Sequence, residues 1–389
     1  MRRFDIVVQG RFHAFHLAQA LIERGNDVLL ITNYPKHIVS RFGVPAECVE
    51  SCILHGLGTR AIRKGLGSWG IGKFEPVIHD SFSHWAAGKV RANSDCLHVF
   101  SGVAERVLAR SSTSANMLRT VMRGSAHIRE QYRLLAEEEV RGNIKTEKPS
   151  DWMISREERE YESADRIVVL STFALRSFLS RGFRRSKLSL IPLSADYSRF
   201  SPKVDTVVTR DNRIASGRPL NVLMVGSLSL QKGVIDFAEV ATRLRHRVNI
   251  RFVGDIDRSV SKIVEGLSNF VEFCPRVNEF DLPKHYAWGD IFLFPTIQDG
   301  FAVVVGQALA SGLPVICTGN CGGPDIVVEG ESGWVVPIRS PDAICERILW
   351  CDEHRNELSA IASALATGKN LRSWSEVARD FEDLVDERN

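Results

Sequence analysis

The chain has 389 residues, 44% hydrophobic and 25% charged, with a formal net charge of +3. That length is too great for one compact core and points to two domains, while the composition is that of an ordinary soluble globular protein. Residues 1–200 carry 30 Lys+Arg against 21 Asp+Glu and the remainder 20 against 26, so the basic half either attracts phosphates, anionic lipid or acidic substrates or is basic by accident of its surface.

The opening "MRRFDIVVQG" is not read as a signal peptide, because its apolar run is short and contains Asp5. "FDIVV" reads as a buried strand, "QGRF" as a turn, "HAFHLAQALIERG" as an amphipathic helix closed by Gly25, and "DVLLIT" as a second strand. This β-loop-α-β start belongs to a parallel sheet. Further strands are expected at residues 96–100, 118–122, 166–171 and 187–193, with helices between them such as "HIREQYRLLAEEEVRG". "SPKVDTVVTRDNRIASGRP" lacks periodicity and reads as a linker over 201–217. A second β-α series follows: "NVLMVG", "VNIRFVG", "VEFC", "DIFLFP", "LPVICT" and "GWVVP" are short apolar runs, most of them separated by helical stretches. "SWSEVARDFEDLVDERN" is a final amphipathic helix.

The expected fold is therefore α/β, with two Rossmann-like doubly wound domains facing a central cleft. They cover 1–200 and 218–370, and a C-terminal helix (371–389) packs back on the first. Ligands bind at the carboxyl ends of such sheets. No run approaches the roughly 18 apolar residues of a membrane span. Of the eight cysteines, Cys48/Cys52 and Cys317/Cys321 are closely spaced but have no partnering CxxC or HxxxH. A zinc site is not expected, and the thiols are read as reduced and cytosolic.

Several residues carry candidate chemistry. Gly226 ends the first strand of the second series and Lys232 opens the next helix, from which a lysine can reach an anion in the cleft; a solvated lysine is the plain alternative. The signature GxxxxGK[ST] is absent. After "DIFLFP" comes the loop "TIQDG", and a helix is expected from Phe301. Free N–H groups around Gly300, Phe301, Ala302 and Val303 would form an anion site suited to a diphosphate. Asp299 stands at the expected N-cap, where aspartate often does no more than cap. Gln307, eight residues on, would share its helix face and needs a hydrogen-bond partner, either backbone or a ligand hydroxyl.

In the first domain, Gly10 sits on the first strand-helix turn between Gln9 and Arg11, with His13 nearby. Arg123 and His127 follow a strand at the cleft end, and His127 is either functional or a helix-terminal histidine bonded to backbone. His79 and His84 in "HDSFSHW" suit an acceptor loop or core packing equally. "RSFLSRGFRRSK" reads as a helix with a solvated basic face in preference to a membrane contact.

The segments "GSLSLQKG", "DGFAVVVGQALASGLPVI" and "GGPDIVVEGESGWVV", in this order and spacing, resemble the retaining GT-B glycosyltransferases of family 4. "ADRIVVLSTFALRSFLSRGF…KLSLIPLSADYSRFSP" is similar to the end of that family's first domain. The resemblance covers roughly residues 160–350. It implies transfer of a sugar from a nucleoside-diphosphate sugar to a glycan, lipid-linked or small-molecule acceptor hydroxyl, with retention and without a metal or other cofactor. It implies an acceptor-binding first domain and a nucleotide-sugar-binding second domain. Cell-surface polysaccharide or glycolipid synthesis in bacteria is the expected setting, in the cytoplasm or peripheral at the inner face of the membrane, with no nucleic-acid partner.

Carried onto this chain, Lys232 and the Gly300–Val303 stretch would hold the diphosphate. Asp299 would lie by the sugar, Gln307 would bind the ribose, and Arg276 and Val277 would contact the base. His127 would lie near the sugar. Three positions depart from the family pattern: Ser227 replaces an arginine, Asp299 replaces the first glutamate and Gln307 the second. Arg123 is a candidate to replace the missing cation. These departures motivate a rival, a sugar-nucleotide-binding protein without turnover. An epimerase or phosphorylase of the same fold is a further alternative, and a dinucleotide dehydrogenase is disfavoured because GxGxxG is absent.

Overall fold

Short β-branched runs alternating with amphipathic helices produce two parallel sheets. In the computed structural model, residues 1–112, 116–368 and 371–388 are described, and for 66–71 only the backbone course. The first sheet contains β1 (Arg3–Val8), β2 (Asp27–Thr32), β3 (Val49–Ser51), β4 (Cys96–Phe100), β5 (Leu118–Arg123), β6 (Arg166–Val169) and β7 (Leu188–Leu190), in the order β3-β2-β1-β4-β5-β6-β7. The second contains β8 (Leu220–Leu228), β9 (Val248–Ile256), β10 (Val271–Cys274), β11 (Ile291–Phe294), β12 (Val315–Thr318) and β13 (Gly333–Val336), in the order β10-β9-β8-β11-β12-β13. Both faces of each sheet are covered, which explains the continuous apolar strands. The strand order reverses at β1/β4 and at β8/β11, so each sheet opens a crevice at the carboxyl ends of those strands.

The segment expected as a linker is not structureless. Val204–Ala215 is a helix whose buried residues are Arg210 and Ile214. The Arg210 guanidinium donates to the carbonyls of Gly289 (2.9 Å), Ser311 (2.9 Å), Gly312 (3.0 Å) and Tyr286 (3.2 Å). Apolar periodicity failed as a signal because the position facing inward is an arginine. Those four carbonyls lie at the ends of two other helices, where carbonyls lack the partners that a continuing helix would supply. Strand β3 was also not expected; three residues carry too little pattern.

The C-terminal helix, Trp374–Asp386, opens with a capping box between Ser373 and Glu376. Val377, Ala378, Phe381, Leu384 and Val385 pack into the core on the Ala14–Glu23 side of the first sheet. Glu382 accepts from Arg24 and from Asn26, both at 2.6 Å. The chain thus ends on the domain where it began. No helix among the described residues is long and apolar enough to cross a membrane.

The two domains touch through several contacts. Arg141 pairs with Asp236, and Arg339 donates to the buried Glu138 at 2.5 Å. Thr172 N–H donates to Asp325 at 2.8 Å. Phe301, from the loop after β11, is buried in the core of the first domain. Burying a phenylalanine is worth about 2–3 kcal/mol, so the loop is anchored across the domain boundary.

Candidate functional site

Four loops meet where the carboxyl ends of the sheets face one another: residues 9–13 after β1, 101–103 after β4, 229–233 after β8 and 295–302 after β11. Between them lie two adjoining cavities of about 570 and 650 Å³. They share Phe12, His13, Leu193, Val225, Gly226 and Val303.

Lys232 and Asp299 line the first cavity and form a salt bridge. The Lys232 ammonium also stands 5.7 Å from the centre of the Phe294 ring. The Asp299 N–H donates to Asn320 O at 2.8 Å, and the Asn320 amide donates to Ile297 O at 3.0 Å, which pins the loop. The helix begins at Val303, two residues later than expected, with Ala302 as N-cap at φ +68°. Asp299 is therefore not the cap. Its eight-residue spacing to Gln307 is not helical, and the two residues face different cavities. The loop is extended because Phe301 reaches into the other domain. Val303 and Val304 line the first cavity, so the end of the helix with unpaired N–H groups opens onto it.

Gly300 lies against the first domain, where a Cβ would stand 1.9 Å from Gly124 O. Beside it the Ser125 hydroxyl bonds Gln298 Oε1 across the same boundary. Gly300 therefore serves close approach; it does not line the cavity. Two non-glycine residues with left-handed backbone, Phe12 (φ +40°) and Ala302, face this cavity from opposite domains. Strain of this kind concentrates at functional sites. Phe12, 67% exposed and stacked on Phe100, carried no sequence signal because backbone conformation is not written in composition.

Ser227, Arg276, Val277 and Gln307 line the second cavity, with Gly254 at the end of the neighbouring strand side and Trp374 of the C-terminal helix opposite. The Tyr286 hydroxyl stands 3.1 Å from Gln307 Oε1. Thus Gln307 has a protein partner and keeps its NH₂ donors. Arg276 is exposed and pairs with Asp255 at 3.2 Å.

Three expectations need correction. His127 lines neither cavity. It caps the Ile128–Gly142 helix, with Nδ1 accepting from Arg129 N–H at 3.2 Å, and packs among Tyr161, Phe178 and Phe183. Burial pushes its pKa down to about 4, so it is neutral there. Arg123 does line the first cavity, but its Nε lies 3.1 Å from Glu157 and the side chain also bonds Gln131. Burial disfavours its charge most strongly, yet Glu157, Tyr161 and Glu160 together outweigh that and raise its pKa. The cation is committed and does not replace the one missing at Ser227. Gly10, at φ +111°, donates to Asn33 Oδ1 (2.9 Å) and accepts from Thr32 (3.0 Å), so its amide is occupied within its own domain. The histidines that line the first cavity are His13 and His79, whose pKa values burial pushes down to about 3 and about 4.

Residues 219–353 match the family profile described as Glycosyl transferases group 1. The matched range lies within the second domain. The group 1 motifs, from the loop after β8 to β13, lie within the matched range. Over 225 residues the chain is 31% identical to a GDP-mannose-dependent alpha-mannosyltransferase of Mycobacterium tuberculosis, covering 56% of this chain and 55% of that protein. It is 26% identical over 215 residues to the putative colanic acid biosynthesis glycosyltransferase WcaL of Salmonella typhimurium, covering 52% and 49%. The chain spans about half the length of the curated relatives it matches. The whole fold is that of the GT-B glycosyltransferases. Anabaena HepE in complex with UDP and glucose superimposes with TM-score 0.68 at 15% identity, with 100% of both chains covered. The lipopolysaccharide glycosyltransferase WaaG gives 0.63 at 15%, covering 98% and 99%.

Proposed function

We propose that this protein is a glycosyltransferase that moves a sugar from a nucleoside-diphosphate sugar to an acceptor hydroxyl, with retention and without a metal. The observation that carries the reading is the first cavity: a lysine, a carboxylate and the N-terminus of the Val303–Ala310 helix open together where two crevices meet. Leaving-group departure builds negative charge on the diphosphate and positive charge on the sugar carbon. The Lys232 ammonium and the helix N–H groups favour the first, and the Asp299 carboxylate the second. When the donor enters, Lys232 exchanges Asp299 for phosphate, leaving the carboxylate to face the sugar.

The ribose and base then fall in the second cavity, the ribose on Gln307 and the base near Arg276 and Val277. The acceptor approaches from the His79 side of the first cavity. It attacks on the face the leaving group vacates, and phosphate oxygen takes its proton, so no strong protein base is needed. The names of the relatives, which include mannosyltransferases and a colanic acid glycosyltransferase, favour surface polysaccharide or glycolipid assembly. A nucleotide-sugar-binding protein without turnover is the second reading, favoured by Ser227 and Gln307.

The test is release of nucleoside diphosphate from UDP-, GDP-, ADP- and dTDP-sugars, run with and without a chelator, on wild type and Asp299→Ala. Turnover that survives chelation and falls at least 100-fold in the variant supports the reading. Tight binding with no turnover in either protein selects the second.

A further inference from the structure

The helix Asp151–Ser163 turns four polar side chains inwards: Arg156, Glu157, Glu160 and Tyr161 are each at most 5% exposed. Three of them are committed to the fold. The Glu160 carboxylate accepts from the N–H groups of Gly102 (2.6 Å), Ala104 (2.7 Å) and Glu105 (3.1 Å). Arg156 donates to Gly102 O at 2.8 Å, and the Tyr161 hydroxyl donates to Glu157 Oε2. Glu157 differs. Its Oε2 accepts from Tyr161 and lies 3.1 Å from Arg123 Nε. Among the described residues no hydrogen bond reaches its Oε1, and the residue lines the first cavity.

A buried ion pair such as Arg123–Glu157 adds little stability over apolar side chains of the same volume, because both charges must leave water. A carboxylate oxygen held there calls for a donor that the fold does not contain. Glu157 and Asp299 are the two carboxylates among the residues lining this cavity, one from each domain. Asp299 and Lys232 serve the donor in the reading above, and Glu157 stands on the first-domain wall. Met153, one turn earlier, lines that wall too, and a Cβ on Gly102 would stand 3.4 Å from Met153 Sδ and 3.5 Å from His79 Nδ1. Phe12, Phe100, Met122 and Leu170 make the rest of the wall largely apolar. Resting on the glycosyltransferase reading, we propose that Glu157 Oε1 accepts a hydrogen bond from a hydroxyl of the acceptor, and that the group seated there is a polyhydroxylated ring, a sugar or a cyclitol. Arg123 and Tyr161 hold the carboxylate and are positioning residues. One fixed carboxylate on an apolar wall suits a ring that presents C–H faces and hydroxyl edges. A simple alkyl alcohol, with its one hydroxyl at the reacting centre, leaves Oε1 unpaired.

Saturation-transfer difference NMR of the full chain tests this. The probes are the methyl α-glycosides of mannose, glucose and galactose, myo-inositol, and propanol as the alkyl alcohol, each with and without UDP or GDP. At least one ring compound should bind wild type and propanol should not; binding of a glycoside assigns a sugar, and binding of myo-inositol a cyclitol. Glu157→Gln keeps the shape and loses the charge, and should weaken that binding about tenfold, the difference between a charged and a neutral acceptor. Glu157→Asp keeps the charge beside Arg123 but withdraws the oxygen by a methylene, and should weaken it by a similar factor. Nucleoside diphosphate affinity should match wild type in both variants, a readout that general damage to the cleft would move. A wild type that binds a ring compound but no nucleoside diphosphate defeats the donor reading and leaves this subsite standing. No ring compound bound by wild type, or binding that both variants retain in full, overturns the proposal, as does joint loss of ring and nucleotide binding.

Discussion

Gly300 of the second domain and Gly124 of the first lie so close that a Cβ on Gly300 would stand 1.9 Å from Gly124 O. The atom it would meet is backbone, which cannot swing aside. Gly300→Ala is therefore expected to hold the two domains apart at the catalytic end of the cleft. Each domain should still fold, with unchanged far-ultraviolet circular dichroism. Misplacement of about 1 Å at reacting groups costs roughly 100-fold in rate, so kcat/KM for sugar transfer should fall by about that factor.

Gln307 hydrogen-bonds Tyr286 and retains free donors towards the second cavity. Gln307→Glu keeps an acceptor for the Tyr286 hydroxyl and for ribose hydroxyls. Donor affinity in this variant, measured by titration calorimetry, should stay within about tenfold of wild type. Gln307→Ala should lose more, by about one hydrogen bond, 0.5–1.5 kcal/mol.

Arg210 ties the Val204–Ala215 helix to four carbonyls, two of them at the end of the Val303–Ala310 helix. Burial lowers its pKa to about 10, which leaves it charged at neutral pH. Arg210→Met takes away the donor to the Ser311 and Gly312 carbonyls and should cost about 3 kcal/mol. Urea unfolding should show the midpoint moving for the second domain while the first domain's transition stays in place.

His98 and His127 are fully buried, and burial holds their pKa values at about 3 and about 4, against 6.5 for a free histidine. Between those values the unfolded chain binds protons that the fold does not. Stability should therefore fall as pH drops from about 6.5 towards 4, with a slope of up to about 1.4 kcal/mol per pH unit for each group. Above about 6.5 both are neutral in either state and contribute no slope. Urea midpoints measured across this window should show the fall, and His127→Asn should make it shallower. Because His127 lies outside the cleft, the same variant should keep sugar transfer within a few-fold of wild type.

Much of the fold was legible because doubly wound sheets are built from apolar runs that any periodicity analysis finds. Of the site, Lys232, Asp299, Val303 and Gln307 were legible from motif spacing, and all four line the cleft. What sequence could not supply was the path of the backbone. The loop from Asp299 to Ala302 reads like a helix start, but Phe301 packs into the other domain and delays the helix to Val303. His127 followed a cleft-facing strand in sequence, yet its ring turns into an aromatic cluster. His79 lies in the cleft because a 35-residue helix carries it there, a relation no local pattern contains.

The cavity holding Lys232, Asp299 and the start of the Val303–Ala310 helix is expected to bind a diphosphate. Titration calorimetry of UDP, GDP, ADP and dTDP into wild type and Lys232→Ala tests it most directly. At least one nucleotide should bind wild type in the micromolar range, and Lys232→Ala should weaken that binding at least tenfold while its thermal unfolding stays close to wild type. No binding of any nucleoside diphosphate, or equal binding by both proteins, would contradict the account.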